Sequence, residues 1–109
     1  AINVHENVSD QRIANSIELT LFRIVQELIN NTLKHAKAKH LEIYLTTDND
    51  NLNIMIEDDG IGFDEAEVVK QKNGIGLLNI EKRIEQLGGK MVIESYKGTG
   101  TSVILDIPL

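Results

Sequence analysis

Asp58-Asp59-Gly60-Ile61-Gly62-Phe63 follows a run, Leu52 to Glu57, in which apolar residues alternate with others as in a β-strand. Two glycines one residue apart then break the strand off. Glycine tolerates positive φ and lets another group come close to the backbone, so Gly60 and Gly62 read as a loop shaped around something. Asp58, at the strand's end, puts an acceptor-only carboxylate at the mouth of that loop. A strand running into a plain Asp-Gly turn would carry the same letters. What favours the shaped loop is the company on either side.

Just upstream, His40 to Thr47 alternates with Leu41, Ile43 and Leu45 on one face. Asp48-Asn49-Asp50-Asn51 is turn chemistry, after which Leu52, Ile54 and Ile56 resume the alternation. This predicts an antiparallel hairpin with one buried face, delivering Asp58 to the end of its second strand. Just downstream, Asp64 to Asn73 is polar except for Ala66, Val68 and Val69. Lying between two glycine pairs, it reads as a lid or as a plain surface loop. Gly74-Ile75-Gly76 then opens a helix with Leu77, Ile80, Ile84 and Leu87 on its apolar face, stopped by Gly88-Gly89. A glycine-rich entry to a helix N-terminus offers free N–H groups to phosphate, although a lone Gly-x-Gly is a weak motif. Lys90 to Tyr96 and Thr101 to Ile107 are two further strands, the second with Val103, Leu105 and Ile107 facing one way. Gly98-Thr99-Gly100 is the turn between them, and Pro108 limits pairing at the far end.

Towards the N-terminus, Ile2, Val4 and Val8 give a weak strand signal, punctuated by Ser9-Asp10. Asn15 and Glu18 have the spacing of a helix-capping pair, with Ser16 a competing cap. A long helix from about Ile17 to Ala36 gathers Ile17, Leu21, Val25, Leu28, Ile29 and Leu33 on a broad apolar face. Glu27, Asn31 and Lys34 fall within an arc of roughly 60° along the margin of that face. They could line a cleft, or form an ordinary polar ladder. His35 could equally cap the helix end, where the dipole favours a cation.

The 109 residues fit one domain, and the chain begins at Ala1, as a piece cut from a longer protein would. Hydrophobic residues at 41% and charged residues at 26% are those of a soluble globular protein. A net charge of −6 without a basic run argues against a nucleic-acid partner. No cysteine means no disulfide framework and no thiolate metal site, so a reducing compartment is permitted. No apolar run approaches the roughly 18 residues of a membrane span, so no direct membrane contact is expected of this stretch.

In order along the chain, Glu27…Asn31…His35, Asp58-x-Gly60-x-Gly62, Gly74-x-Gly76-Leu77 and Gly98-Thr99-Gly100-Thr101 resemble one ATP-binding domain. DNA gyrase, the large heat-shock chaperones, histidine kinases and mismatch-repair ATPases share it. Gln26-Glu27-Leu28, Asn31, Lys34-His35-Ala36 and Gly76-Leu77…Arg83…Leu87-Gly88-Gly89 look like sensor histidine kinases of the nitrate-sensor and desaturase-sensor type. Each motif is weak singly; four in order, over about Leu21 to Leu109, are specific.

The resemblance implies a two-layer α/β sandwich, helices on one face of a mixed, mostly antiparallel sheet of about five strands. It implies ATP and Mg²⁺ as ligands. Asp58 would accept a hydrogen bond from the adenine amino group, and Asn31 would ligate magnesium. Gly60, Gly62, Gly74 and Gly76 would flank the lid, with the Gly76-Leu77 backbone meeting phosphate. Glu27 would polarise the attacking group, Lys34 and His35 match positions near the phosphates, and Thr101 matches one near the base. The implied activity is transfer of the γ-phosphoryl group to a histidine on a separate dimerisation domain, then to a response regulator, in the cytoplasm. His5, His35 and His40 are not placed mid-helix among acidic neighbours, so the acceptor is expected outside these residues. The alternatives are an ATP-hydrolysing switch of the gyrase or chaperone kind, against which the short lid argues, and an anti-sigma-factor kinase or a degenerate, non-catalytic interaction module.

Overall fold

A computed structural model describes residues 2–7, 15–35, 38–48, 50–62, 77–96 and 98–108, the side chains of 15–17, 31–35 and 96 excepted. Strand β1 (Ile2–Asn7) leads to helix α1 (Asn15–His35), then to β2 (Leu41–Asp48) and β3 (Asn51–Asp58). Helix α2 (Leu77–Gln86), β4 (Lys90–Tyr96) and β5 (Gly100–Pro108) follow among the described residues. The five strands form one sheet in the order β1-β2-β3-β5-β4. β1 runs parallel to β2, and the other neighbours are antiparallel. The sheet is therefore mixed and mostly antiparallel, with both helices on one face.

Alternation explains why. Leu41 and Ile43 of β2, Leu52, Ile54 and Ile56 of β3, and Val103, Leu105 and Ile107 of β5 are all buried and share one side of the pleat. Onto them α1 packs Leu21, Ile24 and Leu28, while α2 packs Leu77, Ile80 and Ile84. Val25 and Ile29 pack at the margin as expected, but the centre of the α1 stripe is Ile24, fully buried, which the sequence reading passed over. Ile17 and Leu33 have side chains outside the described residues.

α2 ends as its glycines require. Gly88 takes φ of 80° and donates to the Glu85 carbonyl, and Gly89 donates to the Ile84 carbonyl. A Cβ on Gly89 would stand 2.5 Å from the Asp106 carbonyl oxygen, so the second glycine serves the packing of this helix end on β5. β1 is the exposed edge, with Ile2 and Val4 more than half accessible. Among the described residues, no helix is long and apolar enough to cross a membrane.

Candidate functional site

Strand register brings four side chains into one row at the end of the sheet, on the face that carries the helices. Leu41 pairs with Asp58, Asp58 with Thr101, and Thr101 with Ser95. Leu41 is buried, and Asp58, Thr101 and Ser95 are partly so. The Thr101 and Ser95 hydroxyl oxygens lie 2.8 Å apart, and Ser95 Oγ also donates to the Gly100 carbonyl. This is a floor with an apolar end, a carboxylate and two hydroxyls.

Asp58 is held at the point where its carboxylate is least comfortable. Burial pushes its pKa above the ordinary aspartate value, and the charge of Asp59 adds to that. Backbone N–H groups of Gly60 and Thr101 oppose the rise, the Gly60 bond to Oδ1 measuring 2.8 Å. A half-desolvated carboxylate gains from any further donor, so an incoming N–H or NH₂ group suits it. A neutral amino group meets that demand.

The neighbouring aspartate does a different job. Asp59 Oδ1 accepts from the backbone N–H groups of Lys39 and His40, at 2.8 and 2.9 Å, tying the end of β3 to the entry of β2. The His40 bond is the largest cause of its lowered pKa. Gly62 has φ of 65° and is buried, as a shaped loop requires. Gly60 is buried without positive φ; its part is the hydrogen bond to Asp58.

The β4–β5 turn closes against this loop. Gly98 donates to the Ile61 carbonyl at 2.6 Å. Gly100, at φ of 103°, lies so close to the end of β3 that a Cβ there would stand 2.0 Å from the Asp58 carbonyl oxygen. Two motifs about forty residues apart in sequence are thus one piece of backbone packing. A cavity of about 260 Å³ opens beside the turn, lined by Glu57, Asp58, Glu94, Thr99, Gly100, Thr101 and Ser102. Its carboxylates disqualify it as a polyphosphate site.

Glu27 lies on α1 facing α2, partly exposed, with its Oε2 3.6 Å from Nη1 of Arg83. Leu77 is the first residue of α2 and is buried. Asn31, Lys34 and His35 belong to the last turns of α1, and their side chains lie outside the described residues. Gly74, Gly76 and residues 64–73, expected as a lid or a plain surface loop, also lie outside them. The described structure thus unites Asp58, Gly60, Gly62 and Thr101, and sets Glu27 apart on the helix layer. Ser95 went unnoticed in the sequence, while Asp59 and Arg83, the partner of Glu27, stand in quoted motifs without a role. The parity of Met91 and Ile93 was the available signal for Ser95; for Asp59 and the ion pair there was none.

The family model described as "Histidine kinase-, DNA gyrase B-, and HSP90-like ATPase" matches residues 16–109. The signal transduction histidine-protein kinase/phosphatase DegS of Bacillus subtilis is 39% identical over 101 residues, 92% of this chain and 26% of that protein. The oxygen sensor histidine kinase NreB of Staphylococcus carnosus is 35% identical over 108 residues, 99% of this chain and 31% of that one. An uncharacterized sensor-like histidine kinase of Chloroflexus aurantiacus is 38% identical over 94% of this chain and 18% of its own. The chain therefore spans less than a third of each of these relatives. Among solved structures, the histidine kinase domain of the Erythrobacter litoralis EL346 blue-light activated kinase matches the whole chain and 52% of its own. Its TM-score is 0.81 at 24% identity, a likeness of fold. The family model covers most of the chain and the solved structures share its fold: the chain belongs to the histidine kinase-, DNA gyrase B- and HSP90-like ATPases.

Proposed function

We propose that the chain is the ATP-binding catalytic domain of a sensor histidine kinase. It binds ATP–Mg²⁺ and presents the γ-phosphoryl group to a histidine on a separate dimerisation domain of the same protein, from which the group passes to a response regulator. Use of cellular ATP puts this domain on the cytoplasmic side. The observation that carries the reading is Asp58: a half-desolvated carboxylate, fixed by two backbone donors, in a floor that ends in apolar Leu41. Such a group tells an amino-bearing base from one that presents a carbonyl there.

Asp58 would accept from the adenine amino group, with Thr101 beside the base. Gly60, Gly62, Gly74 and Gly76 would shape the loops that close on the nucleotide, and the Gly76-Leu77 backbone at the start of α2 would donate to phosphate. Asn31 would hold Mg²⁺ through its amide oxygen, a hard ligand, leaving the rest of the octahedron to phosphate and water. The metal would supply charge neutralisation, which with positioning makes up most of phosphoryl transfer. Lys34 and His35 would lie near the phosphates. Glu27 would polarise the acceptor; its ion pair with Arg83 orients the carboxylate between the two helices.

The test is phosphotransfer in two parts. The 109-residue chain, given ATP–Mg²⁺, should bind it with negligible turnover and leave no acid-labile phosphate on His5, His35 or His40. Adding a histidine-bearing dimerisation domain in trans should restore transfer, which Glu27→Gln should slow roughly a hundredfold at unchanged ATP affinity. Steady hydrolysis by the chain alone, abolished by Glu27→Gln, would favour the ATP-hydrolysing switch instead.

A further inference from the structure

Both helices cover one face of the sheet, and among the described residues no element covers the other. That open face is not uniformly polar. His5, Tyr44, Met55, Ile104 and Val92 are register partners in sequence across all five strands, one from each. His5 stacks on Tyr44 with ring centroids 4.6 Å apart, and Val92 is 49% exposed. The row on one side of this band runs Asn3, Glu42, Glu57, Ser102, Glu94. The row on the other side runs Asn7, Thr46, Asn53, Asp106, Lys90, where opposite charges face each other at its end. One apolar band thus crosses the sheet with an acidic flank on one side and a near-neutral flank on the other.

We propose that this face is a docking surface for a partner helix that is apolar along one stripe and basic along one flank. Charge decides the kind of occupant. Glu42 is engaged by Asn3 and His5, but Glu57 and Glu94 have no basic partner among the described residues. A second copy would bring the same carboxylates and a net charge of −6 to a surface that needs the opposite sign. The 260 Å³ cavity opens at the end of the acidic flank, where Glu57, Glu94 and Ser102 meet Thr99, Gly100, Asp58 and Thr101, with room for a lysine or arginine side chain. Length fits as well. Four inter-strand spacings of about 4.8 Å span roughly 19 Å, the length of about 13 helical residues. Apolar anchors at i, i+3 or i+4, i+7 and i+11 would then meet Tyr44, Met55, Ile104 and Val92. The four band residues lie outside the nucleotide floor; the docking surface meets that floor only at the cavity, which Asp58 and Thr101 also line.

The probe is a synthetic 15-residue helix with leucines at that spacing and arginines along one flank, titrated into the isotope-labelled 109-residue chain. Its twin carries glutamate for arginine. Shifts are expected at Tyr44, Met55, Val92 and Ile104, with the arginine peptide binding at least roughly tenfold tighter than the twin. The double variant Glu57→Lys, Glu94→Lys should reverse that preference while the spectrum of the helix layer stays unchanged. No shift on this face at millimolar peptide would overturn the proposal, as would equal affinity for the two peptides. So would a sedimenting dimer that Val92→Glu dissociates, because the band would then belong to a second copy.

Discussion

Asp58 destabilises the free domain for the same reason that it suits a ligand. Its pKa is raised by burial, so the ionised form is penalised in the folded state. The sign follows directly: the penalty is absent below the ordinary aspartate value of about 3.9 and present in full above the raised one. Asp58→Asn should therefore raise thermal stability at pH 7 by under about 1 kcal/mol, since the site is half exposed. The gain should vanish when melting is followed down towards pH 3. Asp59 has the opposite sign, its pKa lowered first by the His40 N–H bond. Asp59→Ala should lower the melting temperature at neutral pH, and the gap from wild type should close as acid protonates the native carboxyl.

Gly100 separates space from backbone freedom. Gly98 and Gly100 both hold left-handed φ, but a Cβ meets nothing at Gly98 and collides with the Asp58 carbonyl at Gly100. Denaturant titration should find Gly98→Ala costing about 1 kcal/mol and Gly100→Ala roughly 3 kcal/mol or more. A mild Gly100→Ala would mean that the turn does not close on the loop in solution.

Among the elements, the β2–β3 hairpin and β5 were legible because strict alternation fixes both the strand and its buried side. α2 was legible for a similar reason: Leu77, Ile80, Ile84 and Leu87 mark one stripe, and Gly88-Gly89 end it. α1 was legible as a helix, and Leu21 and Leu28 of its expected stripe are buried, but Ile24 between them is not part of that stripe. Apolar Leu19, Phe22 and Ile24 crowd the same turns, and only packing decides which faces the sheet. Ile24 is fully buried while Phe22 is 65% exposed. Ile24→Ala should cost about 2–5 kcal/mol, and Phe22→Ala within about 0.5 kcal/mol, by chemical denaturation. β1 was legible as a weak strand only. Its parallel pairing with β2 leaves no local trace, since alternation names a face and never a neighbour. At the site, Asp58 was legible from its place at the end of a strand, before the Gly60 and Gly62 loop. Close approach of Gly100 did not, because contacts between distant segments are written in neither segment alone.

For the whole molecule, the sheet order puts the ends of β3, β4 and β5 together, so that residues from three strands make one floor. Nucleotide recognition should therefore survive in this chain alone, whatever the longer relatives add around it. The most direct measurement is calorimetric titration of the 109-residue chain with ATP and with GTP, each with magnesium, in wild type and Asp58→Asn. ATP should bind, GTP should bind at least roughly tenfold more weakly, and Asp58→Asn should lose about that factor for ATP. A folded chain that takes ATP and GTP equally, or a folded Asp58→Asn variant with unchanged ATP affinity, would contradict the reading of Asp58 as the group that recognises adenine.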